Sequence, residues 1–303
     1  MASSLAPPPA GADDVRLTLD DAAGADGPLT FTAWAAGPAD GPLVLFLHGY
    51  PQTRHTWRDQ MPALADAGYQ AVAVDQRGYS PGARPAGIEP YATANLVADA
   101  VGLARQLSPG RRAHLVGHDW GGQVAWLSAI GHPDVFATLT VLSRPHPAAF
   151  ARSFSADPAQ AERSKHHKGF DDPATADLLL ADGARRLRRM LAGAAVPDPD
   201  IDAYLSVLGR RDGMEAALGW YRAASRSGGL RLADTPPCAL PTLYLWGTAD
   251  QSVGRKAAEY TAEHVAGPYE LVELDGGGHF LTDDGNSAAV TTALLAHLAA
   301  HPA

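Results

Sequence analysis

Apolar residues along this chain gather into short runs at regular intervals, and the runs predict its elements. "VRLTLDD" and "LTFTAWAAG" read as a starting pair of strands, followed by "PLVLFLHG", "YQAVAVDQRG", "AHLVGHD", "LTVLSRP", "TLYLWG" and "YELVELDG". Between most of the later runs lie helical patterns, such as "YATANLVADAVGLARQL" at 91–107 and "VGRKAAEYTAEHV" at 253–265. Strands that alternate with helices predict an α/β architecture, a mostly parallel sheet covered on both faces. One interval breaks the alternation. From His146 to about Asp234 the chain carries helical patterns and no convincing strand, which predicts a helical cap inserted between two strands of the core. The expected organisation is a disordered tail at 1–14, core at 15–145, cap at 146–234 and core again at 235–303. The tail is expected because the opening is rich in Pro, Ala and Gly.

Composition narrows the partners. The 303 residues are 46% hydrophobic and 19% charged, ordinary for a globular chain long enough for one large core plus an insertion. A formal net charge of -9 lacks the basic footprint of a nucleic-acid binder and makes a neutral or cationic small molecule the easier partner. Cys238 is the single cysteine, so no internal disulfide forms, and "MASSLAPPPAGADD" lacks the basic start and apolar core of a signal peptide. A cytoplasmic protein is expected. No apolar run approaches the roughly 20 residues of a spanning helix, so no membrane anchor is expected. Oligomeric state is left open, a homodimer included.

The candidate chemistry centres on "LVGHDWGG" at 115–122. Gly117 and Gly121 flank Asp119 at the spacing of a nucleophile elbow, in which a strand turns sharply into a helix and exposes the middle side chain. The plain alternative is an aspartate that caps a helix. Downstream, "LWGTADQSV" places Asp250 just past a predicted strand, and "GGGHF" places His279 in a Gly-rich loop after the last one. Nucleophile, acid, histidine, each at a strand end, is the α/β-hydrolase order. An aspartate is already an anion at pH 7 and can displace a leaving group from saturated carbon, which a serine does not do.

From about residue 28 onward the chain resembles the epoxide hydrolase branch of the α/β-hydrolase superfamily. The matching residues are "HGYP" at 48–51, "DQRGYS" at 75–80, "GHDWGG" at 117–122, "GWYR" at 219–222, Asp250 and "GGGHF" at 276–280. The resemblance implies an alkyl ester on Asp119, hydrolysed by water that His279 activates while Asp250 orients the imidazole. It implies that the backbone N–H groups of Tyr50 and Trp120 receive the oxyanion, and that the bond before Pro51 is cis. Two cap tyrosines protonate the opened epoxide in that family. Tyr221 matches the second; the position of the first holds His166, the main departure from the pattern.

The same aspartate would serve a dehalogenase. Fluoroacetate-type enzymes carry Arg residues beside the nucleophile, where this chain has Trp120 and Gln123, which makes a small haloacid a poor fit. Haloalkane dehalogenases usually have Asn where Tyr50 stands, and "SRPHPAAF" lacks the carboxylate that many of them place after the strand before the cap. A further alternative is a ligand-binding protein on a hydrolase fold. His48 and His118 are read as loop-shaping and locally bonded residues, Tyr204 as core, and Lys165, His167 and Lys168 as a solvated face. No His, Cys and carboxylate grouping has metal-ligand spacing, so neither metal nor cofactor is expected. "GGGH" lacks the Lys and Ser/Thr of a phosphate loop.

Overall fold

A computed structural model describes residues 6–226 and 232–303, apart from the side chains of residues 166–168. Among the described residues eight strands form one sheet: β1 (Ala12–Leu19), β2 (Leu29–Ala36), β3 (Leu43–Leu47), β4 (Gln70–Val74), β5 (Ala113–His118), β6 (Phe136–Leu142), β7 (Thr242–Gly247) and β8 (Tyr269–Leu274). Their order is β1-β2-β4-β3-β5-β6-β7-β8. The first two strands and the β2–β4 pair are antiparallel, and every later pairing is parallel, so the expected mostly parallel sheet is borne out. Strands β3, β5, β6 and β7 are buried at every position. That is why they read as largely apolar runs: helices cover both faces.

The helices of the core are α1 (Gln60–Asp66), α2 (Thr93–Leu107) and α3 (Trp120–Gly131). Between β6 and β7 come α4 (Pro147–Ala156), α5 (Pro158–Arg163), α6 (Thr175–Gly193, interrupted at Ala181–Ala184), α7 (Asp198–Leu208) and α8 (Arg211–Arg226). The chain ends with α9 (Arg255–Tyr260) and α10 (Ser287–Ala300). Successive side chains of β3 point to opposite faces. Leu43, Leu45 and Leu47 join the layer built with Leu96, Leu103, Val124 and Ala125 of α2 and α3, whereas Val44 and Phe46 join Met61, Leu64, Leu294 and Leu298 of α1 and α10. Among the described residues no helix is long and apolar enough to cross a membrane.

Two sequence boundaries are corrected. Ala12–Asp14, expected in the tail, extend β1 and pair with Trp34–Ala36. An edge strand pairs through its backbone, so its polar side chains hide it from an apolar pattern; Asp14 there meets Arg54 at 2.7 Å. The helix expected over 253–265 is only Arg255–Tyr260, followed by a 3-10 turn at Thr261–His264. The residues before Arg255 are claimed by other bonds: Val253 N–H donates to Asp250 Oδ1 at 3.0 Å and Gly254 N–H to Gln160 Oε1 at 2.9 Å.

The inserted helices are tied to the loops at the top of the sheet by buried polar contacts. On α7, the Tyr204 hydroxyl donates to Asp283 Oδ2 at 2.6 Å, and Asp283 also accepts from Gln52 at 2.7 Å and Arg58 at 2.8 Å. Tyr204 is therefore core, as expected, with a polar tip engaged. On α8, the Trp220 indole donates to the Arg77 carbonyl at 2.9 Å. That anchor fixes the neighbouring Tyr221 over the end of β5.

Candidate active site

Asp119 occupies the turn between β5 and α3 with φ 50° and ψ -116°, left-handed backbone that costs a non-glycine residue free energy. The turn closes because its flanks lack side chains. A Cβ on Gly117 would lie 2.4 Å from the Gly121 carbonyl oxygen, and one on Gly121 would lie 2.2 Å from that of Leu47. Although Asp119 sits at the N-cap position, its side chain makes no capping hydrogen bond. The helix-capping alternative is thereby excluded, and the carboxylate is free for other partners.

Those partners come from two loops. After β3, the Tyr50–Pro51 bond is cis and the Tyr50 N–H donates to Asp119 Oδ1 at 3.0 Å. After β8, His279 places Nε2 3.6 Å from Asp119 Oδ2. Its Nδ1 lies 2.9 and 3.1 Å from the two oxygens of Asp250, so that nitrogen carries a proton and donates it. Asp250 is itself fixed by the N–H groups of Ser252 at 2.6 Å and Val253 at 3.0 Å. The Trp120 N–H opens α3, where no intrahelical acceptor precedes it. The structure thus brings Asp119, His279, Asp250, Tyr50 and Trp120 together.

Tyr221 arrives from the insertion. Its ring meets those of Phe170, Trp120 and Tyr50 edge-on, at centroid distances of 4.6, 5.1 and 5.5 Å. The site wall opposite Asp119 is thus aromatic. His166 belongs to the 3-10 segment Lys165–Asp171, but its side chain, like those of His167 and Lys168, lies outside the described residues. Phe170, from the same segment, was not singled out in the sequence. Lys165 is exposed and paired with Glu162, as a solvated face requires.

Electrostatics set the protonation states. Burial alone would raise the Asp119 carboxyl, but the close contact and charge of His279, with smaller contributions from His118 and Arg144, hold it well below the usual carboxylate range. Burial likewise opposes a charge on His279, yet Asp250 and Asp119 outweigh it and push the imidazole above its ordinary value. Tyr221 is pushed well above the ordinary phenol value, first by burial and then by the Asp119 charge. It retains its proton. The resting site is an anion at Asp119, an imidazolium at His279 and a neutral phenol at Tyr221.

Two residues had more to do than their local sequence showed. His118 bonds over long range: its Nε2 donates to the main-chain carbonyl of His279 at 2.8 Å. Burial, then the charge of His279, push its ring down to about 4, so it stays neutral and braces the loop that carries His279. His48 is the loop-shaping residue expected, its ring bonded to the Gly49 carbonyl at 3.0 Å and receiving the Gln76 N–H at 3.2 Å. The second surprise is Arg144, just past β6. Its Nε and Nη2 donate to Gln123 Oε1 at 3.1 and 2.7 Å, which puts a guanidinium where Trp120 and Gln123 had suggested none.

Residues 42–286 match the alpha/beta hydrolase fold family. Epoxide hydrolase A of Mycobacterium tuberculosis is 36% identical over 87% of this chain and 92% of its own length, and epoxide hydrolase 4 of Mus musculus 31% identical over 86% and 74%. Among solved structures, a metagenomic epoxide hydrolase from hot environments superposes with a TM-score of 0.82 at 28% identity, covering 95% of this chain and 99% of that one. Epoxide hydrolase A of Mycobacterium thermoresistibile gives 0.77 at 30% identity, with the same coverage.

Proposed function

The chain belongs to the alpha/beta hydrolase family, in its epoxide hydrolase branch, and on that footing we propose that it opens a small-molecule epoxide to a diol through an ester on Asp119. The observation that carries this reading is the environment of the Asp119 carboxylate. It caps nothing, has one oxygen on the Tyr50 N–H and turns the other toward His279 Nε2.

In the first step Asp119 Oδ2 attacks a ring carbon, the carbon–oxygen bond of the oxirane breaks, and its electron pair leaves on oxygen. Tyr221 delivers the proton that neutralises this alkoxide, and His166 shares the task. Esterification removes the charge of Asp119, which had helped to hold His279 as imidazolium. The imidazolium then gives up its proton, which restores the Tyr221 phenol, and the neutral imidazole takes one from water, whose oxygen adds to the Asp119 carbonyl carbon. Negative charge develops on Oδ1, where the N–H groups of Tyr50 and Trp120 receive it. Collapse expels the diol and restores the carboxylate with one oxygen from water. In this reading residues 146–234 act as the cap that closes the site, and the place of action is the cytoplasm, in keeping with a lone cysteine.

The test is to halt the reaction between its steps. His279→Gln removes the base and leaves the nucleophile, so the ester accumulates and the protein gains the whole mass of the epoxide on the peptide that contains Asp119. Displacement of a halide would add the substrate less hydrogen halide, and a binding protein would gain nothing. Absence of an adduct with an epoxide that the native protein consumes would falsify the mechanism.

A further inference from the structure

The end of β6 brings into the cleft a charge that the chemistry at Asp119 does not use. Arg144 lies against the first turn of α3, so close that a Cβ on Gly122 would sit 2.8 Å from the Arg144 Cβ. Its guanidinium stacks over the Phe150 ring, 4.5 Å from the centroid, and spends two donors on the one amide oxygen of Gln123. An amide fixes the orientation of a cation without neutralising it. Other arginines of low exposure are treated differently. Arg77 holds Asp99 at 2.7 Å, Arg54 holds Asp14 at 2.7 Å, and Arg58 holds Asp200 and Asp283, each at 2.8 Å. Among the described residues no carboxylate stands within ion-pair distance of Arg144, yet it retains accessible surface while Ser143 and His146 beside it are buried. Arg144 follows closely on Leu142, the last residue of β6, which pairs with His118 and accepts the Asp119 N–H at 3.2 Å, so this surface lies at the same end of the sheet as the nucleophile. Burial lowers the proton affinity of the guanidinium and the Asp119 charge opposes that.

An uncompensated cation at such depth is costly, and in the resting site Asp119 offsets part of that cost from a distance. The first chemical step takes this compensation away, because an ester carries no charge. A negative group on the substrate would then be the remaining partner, and the outer edge of the guanidinium, with Nη1 unspent, has the fork geometry that suits a planar carboxylate. We propose that Arg144 is the specificity residue of the cleft and that the epoxides this chain acts on carry a carboxylate. The net charge of -9 had suggested a neutral or cationic ligand, but that charge acts over the whole surface and is screened within about 10 Å, whereas the cleft presents one unpaired guanidinium.

The proposal rests on the epoxide hydrolase reading, and matched substrates keep the two apart. Turnover of 4-(oxiran-2-yl)benzoate and of 3-phenylglycidate is compared with that of their methyl esters, for the native protein, Arg144→Gln and Arg144→Lys. The readout is the ratio of kcat/KM for acid over ester, which cancels intrinsic reactivity and any general loss of activity. Native protein is expected to favour the acid in at least one pair; Arg144→Gln lowers that ratio by about tenfold or more, and Arg144→Lys retains part of it. Equal losses on acid and ester, the sign of a merely structural role, overturn the proposal and leave the hydrolase reading intact. So does a native preference for the esters. Turnover of neither member of either pair, nor of styrene oxide, removes the hydrolase reading and the proposal with it.

Discussion

The main-chain N–H of Tyr50 and Oδ1 of Asp119 are 3.0 Å apart, and this bond makes the two oxygens of one carboxylate unequal. In the proposed mechanism Oδ1 rests where the oxyanion would form. Oδ2, on the side of His279 Nε2, would be the attacking oxygen. The donor is therefore in place before charge develops, which is the condition under which such donors contribute most to rate.

That inequality has an isotopic consequence. With enzyme in excess over epoxide in 18O-water, a single turnover should yield a diol without label, because its new oxygen comes from Asp119. The label should appear in the peptide that contains Asp119. Direct attack of water on the epoxide, with the carboxylate as a base, would instead put 18O in the diol at the first turnover. Mass spectrometry of diol and peptide separates the two.

The pH dependence follows from the same carboxylate. In the free protein Asp250, and after it the charge of Asp119 3.6 Å away, raise the His279 imidazole against the effect of burial. The ester has no such charge, so the imidazole of the intermediate should titrate lower than that of the free protein. Only neutral imidazole accepts a proton from water, so ester hydrolysis should be lost as pH falls through this lower value. Asp119→Asn should lower the imidazole titration in the free protein in the same direction. Imidazole NMR titrations, set against the pH profile of ester decay, measure both; identical midpoints in native protein and Asp119→Asn would contradict the assignment.

Much of this was readable from the chain, for physical reasons that also mark where reading stopped. Strands β3, β5, β6 and β7 are covered on both faces and are therefore largely apolar, the buried His114 and Thr138 bonding to each other. Gly117 and Gly121 are required because a Cβ on either would lie 2.4 or 2.2 Å from a backbone oxygen, so the elbow imposes a spacing that survives in the sequence. Asp250 and His279 follow strand ends, which are themselves legible. The polar edge strand residues Ala12–Asp14 left no apolar trace. Arg144 was passed over because its meaning lies in Gln123, on another element, and in the carboxylate it lacks. His118 looked local until its acceptor proved to be the main chain of His279, and Tyr204 looked merely apolar until Asp283 met its hydroxyl.

The elbow itself offers a stability test. In Gly121→Ala the new methyl would press on the Leu47 carbonyl oxygen, a backbone atom in the central strand that cannot swing aside. The substitution should destabilise the fold by about 3 kcal/mol, the upper end for overpacking. Gly131→Ala is the control, since a Cβ there meets nothing within 4 Å. Urea midpoints that fall equally in the two variants, or in neither, would contradict the steric account.

Tyr221 should act in the first step alone. Its phenol is buried, keeps its proton, and lies edge-on to Tyr50 and Trp120, the residues on either side of the nucleophile. Tyr221→Phe preserves those ring contacts and removes the hydroxyl proposed to neutralise the departing alkoxide. In steady-state turnover the effect could be masked by slow ester hydrolysis, so it is best read in the His279→Gln background, where the reaction stops at the adduct. There, adduct formation should slow by about a hundredfold or more if Tyr221 is the main donor, within the usual range for a general acid. If His166 shares the proton transfer, His166→Ala alone should slow the adduct modestly, and the Tyr221→Phe and His166→Ala pair should cost more than either alone. Adduct formation at an unchanged rate in His279→Gln with Tyr221→Phe would remove Tyr221 from the mechanism, because the opened oxygen would then draw its proton from elsewhere.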